Sequence, residues 1–114
     1  MTKTLLNAVV VTTTSAGENV EELTNLSLHF FATGISSGNG ALTVEGSNDG
    51  TNWLGIVFHD ATQTAGATNV SSLTLSSNVS ALALVPSGFK MIRTVVTRTT
   101  DGTYSVILHG QKAR

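Results

Sequence analysis

Cysteine is absent from the 114-residue chain, which excludes disulfides and thiolate metal sites and fits synthesis in a reducing cytosol. Proline occurs once, at Pro86, so polyproline-rich linkers are excluded. Charge is scarce too: Asp, Glu, Lys and Arg make up 11% of the residues and the formal net charge is −1. Lys3, Lys90, Arg93, Arg98, Lys112 and Arg114 are scattered and form no basic stripe, so a nucleic-acid partner is not expected. No apolar run approaches the ~20 residues of a membrane span. The start, Met1-Thr2-Lys3-Thr4-Leu5-Leu6, lacks the long apolar core of a signal peptide, and none is expected.

What the chain does have is Thr, Ser and Asn, a third of its residues, with 11 glycines and 40% apolar content. The apolar share argues against disorder. Thr-rich, Gly-rich and Pro-poor is the composition of sheets joined by many turns. The length suits one domain over residues 1–114, large enough to bury its own core.

Eight segments read as strands bounded by turn chemistry. They are Leu5–Thr13, Leu26–Thr33, Ala41–Gly46, Asn52–His59, Val70–Leu75, Val79–Val85, Phe89–Thr99 and Tyr104–Gly110. Leu26, Leu28 and Phe30 alternate with Ser27, His29 and Phe31, and Leu42 and Val44 with Thr43 and Glu45, as strands with one inward face require. Ser47-Asn48-Asp49-Gly50-Thr51 reads as the turn of a hairpin in which Gly50 takes a positive φ and Trp53 is buried. A second hairpin is expected around Asp101-Gly102. Asn19 with Glu22 has the capping-box spacing of a single helical turn, Gly34–Gly40 reads as a flexible loop, and Asp60–Thr68 as a polar one. No segment holds a helical period, so the fold class is all-β: an antiparallel two-sheet sandwich, jelly-roll-like, of about eight strands.

Two segments are apolar on both faces. Trp53 and Val57 oppose Leu54, Ile56 and Phe58, and Phe89 and Met91 oppose Ile92 and Val96. Either a bulge near Met91-Ile92 shifts the alternation or a second chain covers the outer face. The second explanation makes Leu54, Ile56 and Phe58, or the opposite set of Trp53 and Val57, the candidate interface residues.

The sequence offers little chemistry. His29, His59 and His109 lie on three different strands and match no metal spacing. Glu21 and Glu22 are adjacent on a connection, while Glu45, Asp49, Asp60 and Asp101 flank turns. Asp49 with nearby carbonyls offers one carboxylate, few for a calcium ion that takes six to eight oxygens. No nucleophile elbow or phosphate loop occurs, and Gly38-Asn39-Gly40 precedes a strand. Neither catalysis nor a metal or cofactor is expected.

The run from Leu42 through Gly46-Ser47-Asn48-Asp49-Gly50 to Trp53 resembles the hairpin of discoidin-type (coagulation factor 5/8 C-type) domains. Phe89-Lys90-Met91-Ile92-Arg93 and the closing His109-Gly110 are similar to that family's late strands. The resemblance implies a β-sandwich. The cysteines and aromatic-tipped loops with which those domains grip sugars or lipid head groups are missing, which weighs against a sugar site.

The same hairpin, with Arg93-Thr94-Val95-Val96-Thr97-Arg98-Thr99-Thr100-Asp101-Gly102-Thr103, also resembles small virion proteins of tailed bacteriophages. That resemblance implies a structural role: a capsid decoration or cement protein, made in the host cytoplasm and carried on the virion. Its partners would be the major capsid protein and itself, as a trimer or dimer. A tail, head-fibre or adaptor piece, or a carbohydrate-binding module, is the alternative expectation.

Overall fold

The computed structural model describes residues 1–62 and 68–112. Among them there is no helix: twelve strands form two antiparallel sheets that close over one core. The first sheet holds, in spatial order, β1 (Thr2–Val9), β12 (Thr103–Lys112), β4 (Leu23–Thr33), β10 (Ser80–Val85), β7 (Phe58–Asp60) and β8 (Thr68–Val70). The second is built on β11 (Met91–Thr99) and β5 (Asn39–Ser47). On one side β2 (Thr13–Thr14) and β3 (Glu18–Asn19) pair with β11. On the other, β6 (Leu54–Gly55) and β9 (Leu73–Leu75) pair with β5.

The strand count exceeds eight because three expected strands break where the chain passes from one sheet to the other. Leu5–Thr13 becomes β1 and β2, Asn52–His59 becomes β6 and β7, and Val70–Leu75 becomes β8 and β9. The fourth addition is β3, where a helical turn was expected. Asn19 does accept a hydrogen bond from the Glu21 amide, 3.0 Å, but this closes a local turn. Val20, 2% exposed, anchors that turn in the core and keeps the segment extended.

The expected hairpin at Asp101-Gly102 is also a crossing. β11 pairs with β5 over nine residues, whereas β12 lies between β1 and β4 in the opposite sheet. Thr100 (φ 71°) and Gly102 (φ 103°) give the reversal its sharpness. No register shift interrupts β11 against β5, so a bulge near Met91-Ile92, one of the two explanations for its apolar faces, is absent.

The core draws alternate residues from both sheets. Leu26, Leu28 and Phe30 of β4 and Tyr104, Val106 and Leu108 of β12 face Leu42 and Val44 of β5 and Ile92 and Val96 of β11. Burying each such aliphatic or aromatic side chain stabilises the fold by roughly 1.5–3 kcal/mol. The Tyr104 and Phe30 rings stack with centroids 6.0 Å apart. Polar groups inside are matched: the Thr94 amide donates to Ser15 Oγ at 2.9 Å, and the Ser15 amide to the Thr94 carbonyl at 2.8 Å. This ties β11 to the link between β2 and β3.

Candidate interaction surfaces

The three residues expected at an interface are separated by the sheet crossing between β6 and β7. Phe58 is 1% exposed and faces the core, so it cannot meet a partner. Ile56 is half-buried against the same core, its amide donating to the Val44 carbonyl at 2.9 Å. Leu54 is 75% exposed on the edge of the second sheet. The two-faced apolar pattern here records a change of sheet, in which the inward-facing positions are set first by the second sheet and then by the first.

The second such pattern has another cause. Ile92, Thr94 and Val96 point inward, and Met91 and Arg93 point outward beneath the loop that follows β5. Met91 lies against Gly17 and Gly50, and the Trp53 ring edge rests on Gly17. The Arg93 guanidinium sits 4.4 Å from the Trp53 ring centroid and bonds Glu45 through Nε at 2.6 Å. Trp53 is therefore half-buried outside the core, and its own chain covers these outward apolar groups.

That loop is built by Asp49. Its Oδ1 accepts the amides of Thr51 and Asn52, each at 2.8 Å, and its Oδ2 accepts the Asn52 side-chain amide at 2.7 Å. These donors, the Asn52 amide foremost, hold its carboxyl far below the usual carboxylate range. Gly50 has φ 76°, as the turn sequence requires. With its oxygens engaged in this way, Asp49 serves the turn, and no group of three potential metal ligands occurs among the described residues.

Asp101 does the same for the loop after β4. Its carboxylate accepts the amides of Ser36 and Ser37, both at 3.2 Å, and of Gly38 at 2.9 Å. Those amides, that of Ser37 first, lower its pKa although desolvation opposes them. The segment expected to be a flexible loop is thus bonded to the β11–β12 crossing, and Ile35 packs against the core. Of the expected polar loop at Asp60–Thr68, residues 63–67 lie outside the described residues.

The outer faces of the two sheets differ. On the second, Glu45 and Arg93 stand beside each other. On the first, cross-strand partners share a face, which assigns its surface rows. One row runs Thr4, Ile107, His29 and Leu82; the next runs Thr2, His109, Ser27, Leu84, His59 and Asn69. All three histidines of the chain lie on this face. The sequence places them on separate strands, and only the fold brings those strands together, since β4, β7 and β12 are distant in the chain.

No protein-family model matches the chain, and the search of curated proteins gives no match. Among solved structures, the chain resembles the crystal structure of the SPBc2 prophage-derived protein YomS, with a TM-score of 0.70 and 14% sequence identity. The likeness covers 97% of this chain and 92% of that one, so the two share a fold from end to end.

Proposed function

We propose that the chain is a structural virion protein of a tailed bacteriophage, a capsid decoration or cement protein that stabilises the shell through protein–protein contacts. The observation that carries this reading is the end-to-end likeness of its fold to a prophage-derived protein. The surface suits the role. Exposed apolar side chains such as Leu54, Val57, Leu82 and Leu84 stand among Thr, Ser and Asn, so contacts with other proteins desolvate few charges. The reading makes the major capsid protein and further copies of this chain its partners. It places the protein on the capsid surface after synthesis in the host cytoplasm.

Co-sedimentation of the purified chain with empty capsids and, separately, with isolated tails tests the reading. Saturable binding to capsids, with raised resistance of the shell to heat or chelation, is expected. Binding to tails alone would move the role to a tail or adaptor component. Binding to neither, with retention on a glycan array, would replace it with carbohydrate recognition. The position of Trp53 counts against that last outcome, because Arg93 covers a face of the only tryptophan.

A further inference from the structure

The outer face of the first sheet carries no Asp, Glu, Lys or Arg on any of its six strands, although the chain has 13 such residues, 6 basic and 7 acidic. Among its Thr, Ser, Asn and His side chains stand Leu82 and Leu84, 41% and 45% exposed, with Phe31 and Ile107 half-buried beside them. A dimple of about 340 Å³ lies at one side, lined by Val57, His59, Asn69, Leu84 and Pro86 among others.

We propose that this face is where two copies of the chain meet, sheet against sheet about a two-fold axis, and that acidification separates them. The proposal deepens the oligomeric part of the decoration-protein reading and rests on it for its biological role. A two-fold contact places a surface against itself, so any net charge on it would meet its like. A face without charged residues satisfies that condition. Six strands about 4.8 Å apart, from about 33–36 Å long at β12 and β4 down to about 10 Å at β7 and β8, give a flat footprint of roughly 650 Å². With side-chain relief added, the accessible area reaches the roughly 600–800 Å² per partner that specific interfaces bury. The dimple gives a protruding Leu or Phe of the other copy a place to enter.

The histidines supply the acid sensitivity, since histidine is the side chain that gains charge between about pH 8 and pH 5. His29 is flanked by Phe31, at 5.3 Å between centroids, and by Ile107 and Leu82 on the adjoining strands. His59 faces Leu84 and Asn69. His109 bonds Thr2 through Nδ1 at 2.8 Å and neighbours Ser27. The nearby charged groups give it no counter-ion: the Met1 ammonium is bonded to the Gly110 carbonyl, and Lys3 is turned away and paired with Glu18. Asp60, next to His59, points into the core. No carboxylate on the described strands of this face would neutralise the added charge, and the two-fold doubles it.

Sedimentation equilibrium of the full chain decides the matter. The expected result is a dimer at neutral pH. Its dissociation constant should rise by roughly a hundredfold or more in Leu82→Asp and in Leu84→Asp, because each variant sets two carboxylates into one desolvated contact. Far-ultraviolet circular dichroism confirms that each variant is folded, and two variants guard against one misfolding. Leu54→Asp, on the opposite sheet, should leave the dimer unchanged. At about pH 5 the wild-type constant should rise by about tenfold or more. A monomer at neutral pH, a trimer, a dimer that tolerates both first-sheet variants, or a dimer unchanged at pH 5 would each overturn the proposal. A monomer that still binds capsids would overturn this face and leave the virion role intact. A dimer broken by Leu82→Asp that binds neither capsids nor tails would do the reverse.

Discussion

Arg93 holds Trp53 on the outside of the sandwich: the guanidinium carbon lies 4.4 Å from the ring centroid while Nε bonds Glu45. The loop carrying Trp53 is thereby fastened over β11. A cation over an aromatic face contributes about 0.5–1 kcal/mol at a partly exposed site. A double-mutant cycle of Trp53→Ala and Arg93→Ala in urea melts should return a coupling of about that size. A coupling near zero would show that the two groups are neighbours without being partners. Since Trp53 is the sole tryptophan, its fluorescence gives an independent check. Emission should respond to acrylamide, as a half-exposed indole does, and redden further in Arg93→Ala.

The inward residues of the long strands were legible because their alternation is regular. Leu26, Leu28 and Phe30, and Leu42 and Val44, fall where the period of two puts them. What the period cannot register is a change of sheet. At Ile56-Val57 the chain leaves one sheet for the other, and the apolar run continues because both sheets need apolar residues; at Ser71-Ser72 it crosses back through two serines within a segment too short to show the break. Trp53 misled for a related reason: its size suggested the core, while the small Gly17 beneath it leaves room for the ring outside. The shared face of the three histidines depends on pairing between residues some twenty to ninety positions apart, which no local pattern encodes.

Two glycines should prove intolerant of side chains for different reasons. Gly50 sits at φ 76°, where a β-branched residue is strained, so Gly50→Val should cost roughly 1 kcal/mol or more. Gly40 has ordinary backbone geometry, but the Tyr104 ring occupies the space its Cβ would need. Gly40→Ala should then displace a core ring and cost about 1–3 kcal/mol by overpacking. Denaturant melts of the two variants check both, and Gly55→Ala, at an open position, serves as the control.

Acid should weaken the fold through its turn carboxylates. In the folded chain Asp101 titrates below its usual range, chiefly because of the Ser37, Gly38 and Ser36 amides, and Asp49 does so through Asn52 and Thr51. A depressed folded pKa means that the unfolded chain binds the proton first. The stabilisation is therefore fully present above the unfolded value of about 3.9 and is lost as pH falls towards the folded one. At protein concentrations low enough to keep the chain monomeric, the melting temperature should hold steady from neutral pH to about 5 and decline below about 4. Asp101→Asn should lower it at neutral pH and flatten that decline. A decline of equal steepness in the variant would assign the acid sensitivity to other groups.

At the alkaline end the relevant group is Tyr104, the only tyrosine and fully buried. Burial pushes its phenol pKa up, the Asp101 carboxylate adds to this, and Arg98 partly opposes it. Its hydroxyl donates to the Asp101 carbonyl at 3.0 Å, a bond that only the protonated phenol makes. Here the sign runs the other way from the carboxylates. Above the unfolded value of about 10 the unfolded chain has released a proton that the folded chain retains, so stability falls as pH rises. Tyrosinate absorbance, which reports this one ring, should titrate above 10 in the folded protein and near 10 in denaturant. Tyr104→Phe should abolish the signal, cost about 0.5–1.5 kcal/mol at neutral pH for the lost hydrogen bond, and reduce the alkaline loss of stability. A midpoint at or below the denatured one would mean that water reaches the phenol, and the packing of Tyr104 against Phe30 and Gly40 would need revision.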